Sequence, residues 1–248
     1  MKFNYQTANI IDIQRETPRI KTFTLDNAIR AKPGQYVMLW LPGINEKPFG
    51  VVTNNPLRLS IATVGSFTQK VHQLKVGDTM TFRGPYGSSF HVAGRQPLLV
   101  GGGYGVVPLY LLTQTFSSSV RRKTTVIIGA KTKKDLAFIS KFRSLGCRVQ
   151  TSTDDGTFGF HGFSTDLAKK VIQSGQIDSV YACGPEPMMK KVAEMSREDR
   201  IPCQVSLERH FKCGGMGICG SCSFNGKLVC IDGPVFPGSV LLSCGKEE

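Results

Sequence analysis

Between Thr7 and Gly84 apolar and polar positions alternate in five short runs, TANIIDIQRE, IKTFTLD, YVMLWLP, LRLSIATV and TMTFRG. Successive residues of a strand face opposite sides, so a period of two marks strands with one buried face. The β-branched and aromatic content of these runs favours the same element. Glycine and proline punctuate them at PGQ, PGINEKPFG, NNP, VGD and GPYG. Short strands at such spacing predict an antiparallel barrel or sandwich.

From Arg95 the pattern changes. Apolar runs that suit strands buried on both faces (QPLLVGGG, TTVIIGA, CRVQTSTDD, SVYACGP) alternate with helix-like stretches (VVPLYLLTQTF, DLAFISKFRSLG, STDLAKKVIQSG, EPMMKKVAEMSRE). Strands in alternation with helices predict a parallel sheet with crossover helices. From Ile201 the chain turns glycine- and cysteine-rich and leaves little room for long helices. The expected layout is a β-barrel over 1–94, an α/β domain over 95–200 and a small lobe over 201–248.

The chain has 248 residues, 40% of them hydrophobic and 20% charged. That composition suits a globular protein with a sizeable core. No apolar run is long enough to cross a bilayer, and the first residues lack the layout of a secretory signal, so no membrane is expected and the cytoplasm is. The formal net charge of +13 could attract nucleic acid, an acidic membrane, nucleotide phosphates or an acidic protein. Its carriers are dispersed (Arg121–Lys123, Lys131, Lys133, Lys134, Lys169, Lys170, Lys190, Lys191) and no nucleic-acid-binding signature accompanies them. Solvated helix and loop faces explain them, and nucleic acid is not an expected partner.

Four of the eight cysteines, Cys213, Cys219, Cys222 and Cys230, share one glycine-rich segment with the spacing C-x5-C-x2-C-x7-C. Crowded cysteines in a chain read as cytoplasmic point to a metal or cluster rather than to disulfides. Four thiolates on a tight loop suit a 2Fe–2S cluster, because glycine lets the backbone wrap closely around it. The plant-type ferredoxin spacing is one residue shorter in the first gap. Structural zinc is the rival, although zinc sites usually pair two CxxC knuckles and only Cys219 and Cys222 make one. Cys147, Cys183, Cys203 and Cys244 are scattered. His210, three residues before Cys213, could tune a cluster by hydrogen bonding.

A second constellation is Leu98-Leu99-Val100-Gly101-Gly102-Gly103-Tyr104-Gly105-Val106-Val107-Pro108, a strand running through glycines into a helix. Bare backbone at such a turn accommodates phosphate or ribose. Cys183, Gly184 and Pro185 form a second turn of this kind, and both would open at the carboxyl edge of one sheet, where ligands of these folds bind. No paired carboxylates or Ser/His/Asp arrangement suggests hydrolysis.

In this order, a barrel, a GGGxGxxPL turn, a CGP turn and a terminal cysteine loop, the chain resembles the ferredoxin-reductase-like family. Within it the chain is similar to the electron-transfer subunits of the NAD-linked, class 1B dihydroorotate dehydrogenases. The likeness runs nearly end to end and is most specific at Asp154-Asp155-Gly156-Thr157-Phe158-Gly159, at Gly162–Asp166 and from Lys212 to Phe236. The resemblance implies a fold of FAD-binding barrel, NAD-binding parallel sheet and C-terminal 2Fe–2S lobe. The family's Arg-Pro-x-Ser flavin motif maps onto Lys47, Pro48, Phe49 and Gly50. Arg58-Leu59-Ser60 competes for it but lacks the proline. Ser60, Ile61 and Ala62 then fall on the next flavin-facing strand, and Gly65, Phe67 and Thr68 on a pyrophosphate turn. Gly101, Gly102, Gly103, Gly105, Cys183, Gly184 and Pro185 are the implied nucleotide site, with Lys131, Lys133 and Lys134 leaving NADP open beside NAD.

The implied activity is transfer of electrons from an FMN-containing dihydroorotate dehydrogenase subunit, in a heterotetramer of two each, through the cluster and FAD to NAD. No residue of this chain is expected to oxidise dihydroorotate itself. The alternatives are a related reductase subunit of a hydrogenase or ferredoxin:NAD(P) system, and a cluster-bearing relay or scaffold that has lost FAD.

Overall fold

The computed structural model describes residues 4–243, so Cys244 lies outside the described residues. Six antiparallel strands close a barrel in the order β1-β2-β5-β4-β3-β6. They are β1 (Gln6–Arg15), β2 (Ile20–Leu25), β3 (Tyr36–Leu41), β4 (Asn45–Asn54), β5 (Leu57–Ala62) and β6 (Thr79–Tyr86), with a short helix α1 (Ser66–Val71) between the last two. Alternate positions point inward, and Phe23, Leu25, Val37, Leu39, Leu57, Leu59, Ile61, Met80 and Phe82 fill the interior.

Five of these strands follow the alternation; β4 does not. It was expected as turn, because asparagine, proline and glycine break its pattern. The structure makes it a strand by pairing it in two halves. Residues 45–50 pair only with β3, while Val51, Thr53 and Asn54 pair with β5 across a register shift. Pro48 has no N–H to give a ladder, so it suits the half whose second edge is unpaired. That open edge becomes a wall of the site.

The second unit is a seven-stranded sheet of order β10-β9-β8-β7-β11-β12-β15. Its strands are β7 (Pro97–Gly102), β8 (Thr125–Ala130), β9 (Arg148–Thr153), β10 (Phe160–His161), β11 (Ser179–Cys183), β12 (Cys203–Ser206) and β15 (Val235–Pro237). All neighbours are parallel except β12 and β15. Both faces are covered, which is why the strands read as continuous apolar runs. Leu98 and Val100 pack with α5 (Ser164–Ile172) and α6 (Glu186–Glu198) on one face. Leu99 packs with α2 (Val106–Thr115) and α4 (Ile139–Ser144) on the other. Helix α2 also joins the two units: Leu109 and Leu112 pack with the sheet, whereas Leu111 joins the barrel core.

The expected lobe from residue 201 begins later than composition suggested. β12 and β15 belong to the large sheet, so the cysteine segment is an excursion from its edge between them. It carries a small hairpin, β13 (Ser223–Phe224) with β14 (Lys227–Leu228), and a helical turn α7 (Val229–Asp232). Several dispersed cations have a local explanation. Arg121, Arg122 and Lys123 end α3 (Ser118–Lys123), and Lys169 and Lys170 end α5, where the helix dipole favours positive charge.

Candidate functional site

The four cysteines fall into two pairs. Cys222 and Cys230 are buried with their sulfurs 3.2 Å apart. The Cys213 thiol interacts with Cys219. Burial works against ionisation of Cys213, but hydrogen bonds from the Ile218 N–H, the Cys219 thiol and the Met216 N–H outweigh it and bring the thiol down to about 6. Burial, then the neighbouring Cys222, pushes the metal-free Cys230 thiol up to about 12. Among the described residues no three His, Cys, Asp or Glu side chains converge on a single ion. Two thiol pairs on one loop fit two irons with two thiolates each, whereas one zinc would draw all four to a point. Gly214 and Gly217 take left-handed backbone at φ 69° and 74°, and a Cβ on Gly217 would stand 2.7 Å from Ile231 Cγ1. Only glycine turns so tightly there without strain.

The barrel holds this loop through Arg83, which is only 3% exposed. Its guanidinium grips Glu46 at 2.9 and 2.6 Å and donates to the Gly214 carbonyl at 2.5 Å. Tyr36 makes a second tie, its hydroxyl donating to the Cys230 carbonyl at 2.9 Å. Its ring centroid is 5.2 Å from that of Phe211. The His210 side chain is exposed, and it is the His210 carbonyl that joins the loop, accepting from Ser221 Oγ at 2.9 Å. Ser221 Oγ lies 3.2 Å from Cys219 Sγ. Ser221 is thus the cysteine's neighbour that sequence reading missed.

Tyr36 and Phe211 also face a cavity of about 390 Å³ between the barrel and the sheet edge. Lys47, Pro48, Phe49 and Gly50 line it along the open edge of β4, with Ser60, Ala62, Gly65, Phe67 and Thr68 opposite. Ile61 points the other way, into the barrel core. The Thr68 hydroxyl is already engaged, accepting from the Val64 and Gly65 N–H groups at 2.9 and 3.1 Å. It shapes the turn. A Cβ built on Gly50 would meet nothing nearer than Pro108 Cγ at 3.6 Å. Arg58, the competing arginine, does not reach this cavity. The slot therefore has the strand edge, the turn and the space that a flavin needs.

A larger cavity of about 780 Å³ opens at the carboxyl edge of the sheet. Gly102, Gly103, Gly184 and Pro185 line it. A Cβ on Gly102 would stand 2.6 Å from Pro185 Cδ, and one on Gly184 2.9 Å from Gly102, so the two turns pack back to back only because both lack side chains. Gly101, Gly105 and Cys183 sit beneath. A Cβ on Gly101 would strike Val106, one on Gly105 the Cys183 carbonyl, and the Cys183 side chain is fully buried in the core. These three build the cradle without reaching its surface. Lys131 lines the far end with Asp135 and Asp154.

The two cavities share the wall residues Ala62, Val64, Tyr104, Glu208 and Arg209. Glu208 is exposed to both cavities, and desolvation between their walls, only partly offset by a hydrogen bond from Tyr104, shifts its carboxyl upward. Chiefly through Glu208, the Tyr104 phenol is raised to about 12. Arg209 is held by Glu186 at 2.7 Å. Tyr104 lies inside the glycine-rich turn but had no role of its own there, and Glu208 and Arg209 did not stand out; Glu208 is a lone acid between an apolar strand and the cysteine loop.

Comparison with known proteins agrees with this layout. The family described as the iron–sulfur cluster binding domain of dihydroorotate dehydrogenase B matches residues 208–242, and the oxidoreductase NAD-binding domain matches residues 99–194. A protein of Methanocaldococcus jannaschii named probable dihydroorotate dehydrogenase B (NAD(+)), electron transfer subunit, is 47% identical over 94% of this chain and 89% of its own length. A Pyrococcus furiosus protein of the same name is 40% identical over 90% and 87%. A solved chain described with an NADH-dependent reduced ferredoxin-NADP oxidoreductase superposes with a TM-score of 0.81 at 28% identity, covering 94% of this chain and 88% of that one. The chain belongs to the family of dihydroorotate dehydrogenase B (NAD(+)) electron transfer subunits.

Proposed function

We propose that this chain carries electrons from a dihydroorotate-oxidising partner through a 2Fe–2S cluster on Cys213, Cys219, Cys222 and Cys230 to FAD, and from FAD as hydride to NAD. One observation carries the reading: the flavin-side cavity shares a wall with the nucleotide cavity and is linked on its other side to Cys230 through Tyr36. A cluster moves single electrons and a hydride needs two together, so a flavin between them supplies the conversion when bound.

In this reading the open edge of β4 (Lys47–Gly50) with Ser60, Ala62, Gly65 and Phe67 holds the flavin, and Lys47 gives a point charge where arginine would give a fork. Gly102, Gly103, Gly184 and Pro185 cradle the dinucleotide backbone, while Gly101, Gly105 and Cys183 support them. Asp135 and Asp154 favour the free ribose hydroxyl of NAD over a 2′-phosphate. The partner is an FMN-containing catalytic subunit, two copies of each chain assemble, and the complex works in the cytoplasm. Its docking face is the cluster side, where Ile218 is 76% and Ile231 51% exposed beside Cys219. Among the described residues no helix is long and apolar enough to cross a membrane.

The test is anaerobic purification with iron, sulfide, zinc and flavin quantified on the same sample, followed by addition of the partner. Flavin bands with cluster absorption, and NADH formed from dihydroorotate only when both chains are present, support the reading. A colourless, zinc-loaded chain sinks it. Co-assembly undisturbed by Ile218→Glu moves the docking face elsewhere.

A further inference from the structure

A hydrogen-bonded line leads from the flavin-side cavity toward solvent along the junction of the two units. It begins at Ser60 on the cavity wall. Thr22 stands opposite Ser60 in the β2–β5 ladder, and its Oγ1 lies 3.2 Å from Ser60 Oγ. Thr22 Oγ1 donates to Glu16 Oε1 at 2.6 Å. Glu16 in turn pairs with Lys141 of α4, whose ammonium also donates to Gln14 Oε1 at 3.1 Å. Exposure falls from 7% at Ser60 on the cavity wall to 1% at Thr22 and rises again through 6% for the Glu16 side chain to 19% for that of Lys141, so the line joins the cavity to the outside through a buried middle. The strand ladder needs none of these side chains, and burying two hydroxyls and a carboxylate costs desolvation.

We propose that Ser60, Thr22, Glu16 and Lys141 form the path by which protons enter and leave the flavin-side cavity, an inference that rests on the function proposed above. The balance demands such a path. Two electrons, one proton and NAD⁺ give NADH, and the cluster supplies electrons without protons. During NAD⁺ reduction a proton arriving at the Glu16 carboxylate from the Lys141 side passes on to Thr22 as the hydrogen of Thr22 passes to Ser60 and that of Ser60 enters the cavity. Each O–H bond formed matches one broken, Glu16 ends as the carboxylate it began, and the proton comes from solvent beside Lys141. The reverse flow carries the proton out.

Thr22→Val removes the hydroxyl and keeps the Glu16–Lys141 pair; Thr22→Ser restores it. In the flavin-loaded chain, NADH bleaches the flavin by hydride without using the path, whereas reoxidation by ferricyanide must release the proton. The expected result for Thr22→Val is bleaching within about twofold of wild type, reoxidation slowed about tenfold or more, an altered solvent deuterium effect on reoxidation only, and recovery in Thr22→Ser. Equal slowing of both steps means misplaced flavin and overturns the path; so does unchanged reoxidation. In the flavin-free chain, the infrared carboxylate band assigned through Glu16→Gln should shift in Thr22→Val and return in Thr22→Ser. No shift also overturns the path. A wild-type chain that takes up no flavin, or whose flavin NADH does not bleach, overturns the underlying reading instead.

Discussion

The cysteine loop gathers all its proposed ligands between Cys213 and Cys230, while the flavin-side cavity draws its walls from the barrel, from the turn into α2 and from the segment after β12. The first site is written as a local motif, because a cluster is held by side chains on one tightly folded backbone. The second exists only after two units have packed, and its specificity resides in edges and spaces rather than in a residue list. The loop should therefore fail when single side chains change, and the cavity should tolerate substitution and even improve.

The strongest break is Cys222→Ser. Iron and sulfide per chain should fall about tenfold because one thiolate of a buried pair is gone, while flavin content stays near wild type. Equal loss of flavin would show that the two sites are not separable. Next is Arg83→Met, which leaves the half-buried Glu46 with only the Tyr5 hydroxyl at 2.7 Å. Thermal or urea unfolding should show a loss of about 1.5–3 kcal/mol, the usual worth of hydrogen bonds to a charged group. Adding Glu46→Gln should recover part of it.

On the cavity side, Gly50→Ser supplies a hydroxyl where a Cβ has room. Fluorescence titration should give flavin binding tighter by about 1 kcal/mol, roughly fivefold, the usual net worth of one hydrogen bond. Weaker binding would place Gly50 against the ligand itself. The smallest effect is expected at the shared wall. Glu208 has its folded pKa raised by desolvation at the cavity wall, so the fold penalises its charged form. Its contribution is fully present below the unfolded pKa and is lost as pH rises through the folded value. Glu208→Gln should therefore match wild type in acid and melt above it at alkaline pH, as a series of melting curves will show.

The two regions also differ in how readily they were read from sequence. Alternation exposed five barrel strands and the α/β switch near Arg95, because burial of one face is a local pattern. It hid β4, since Pro48 and Gly50 read as turn and only closure of the barrel makes that segment a strand. In the site, the cysteines and the bare glycines Gly102 and Gly184 were legible by type and spacing. Gly101, Gly105, Ile61 and Cys183 were legible as neighbours of the site but not as residues turned away from it. Tyr36, Arg83, Glu208 and Phe211 carried no sequence signal, because an isolated tyrosine, arginine or glutamate acquires meaning only from what lies across the fold. Phe211, two residues before Cys213, was the nearest to a clue.

By itself the sequence determined the four thiols of the cysteine loop and their spacing, the barrel-then-sheet order and the family resemblance. These depend on side-chain type, period and spacing along one stretch of chain. Tertiary structure decided that the loop leaves from the sheet's edge, that Arg83 and Tyr36 bind it to the barrel, and that a flavin-sized slot adjoins the nucleotide cavity. It also decided that Ser60, Thr22, Glu16 and Lys141 stand in one line. Those facts depend on distances between residues far apart in sequence, which packing of the barrel against the sheet fixes and no local pattern encodes.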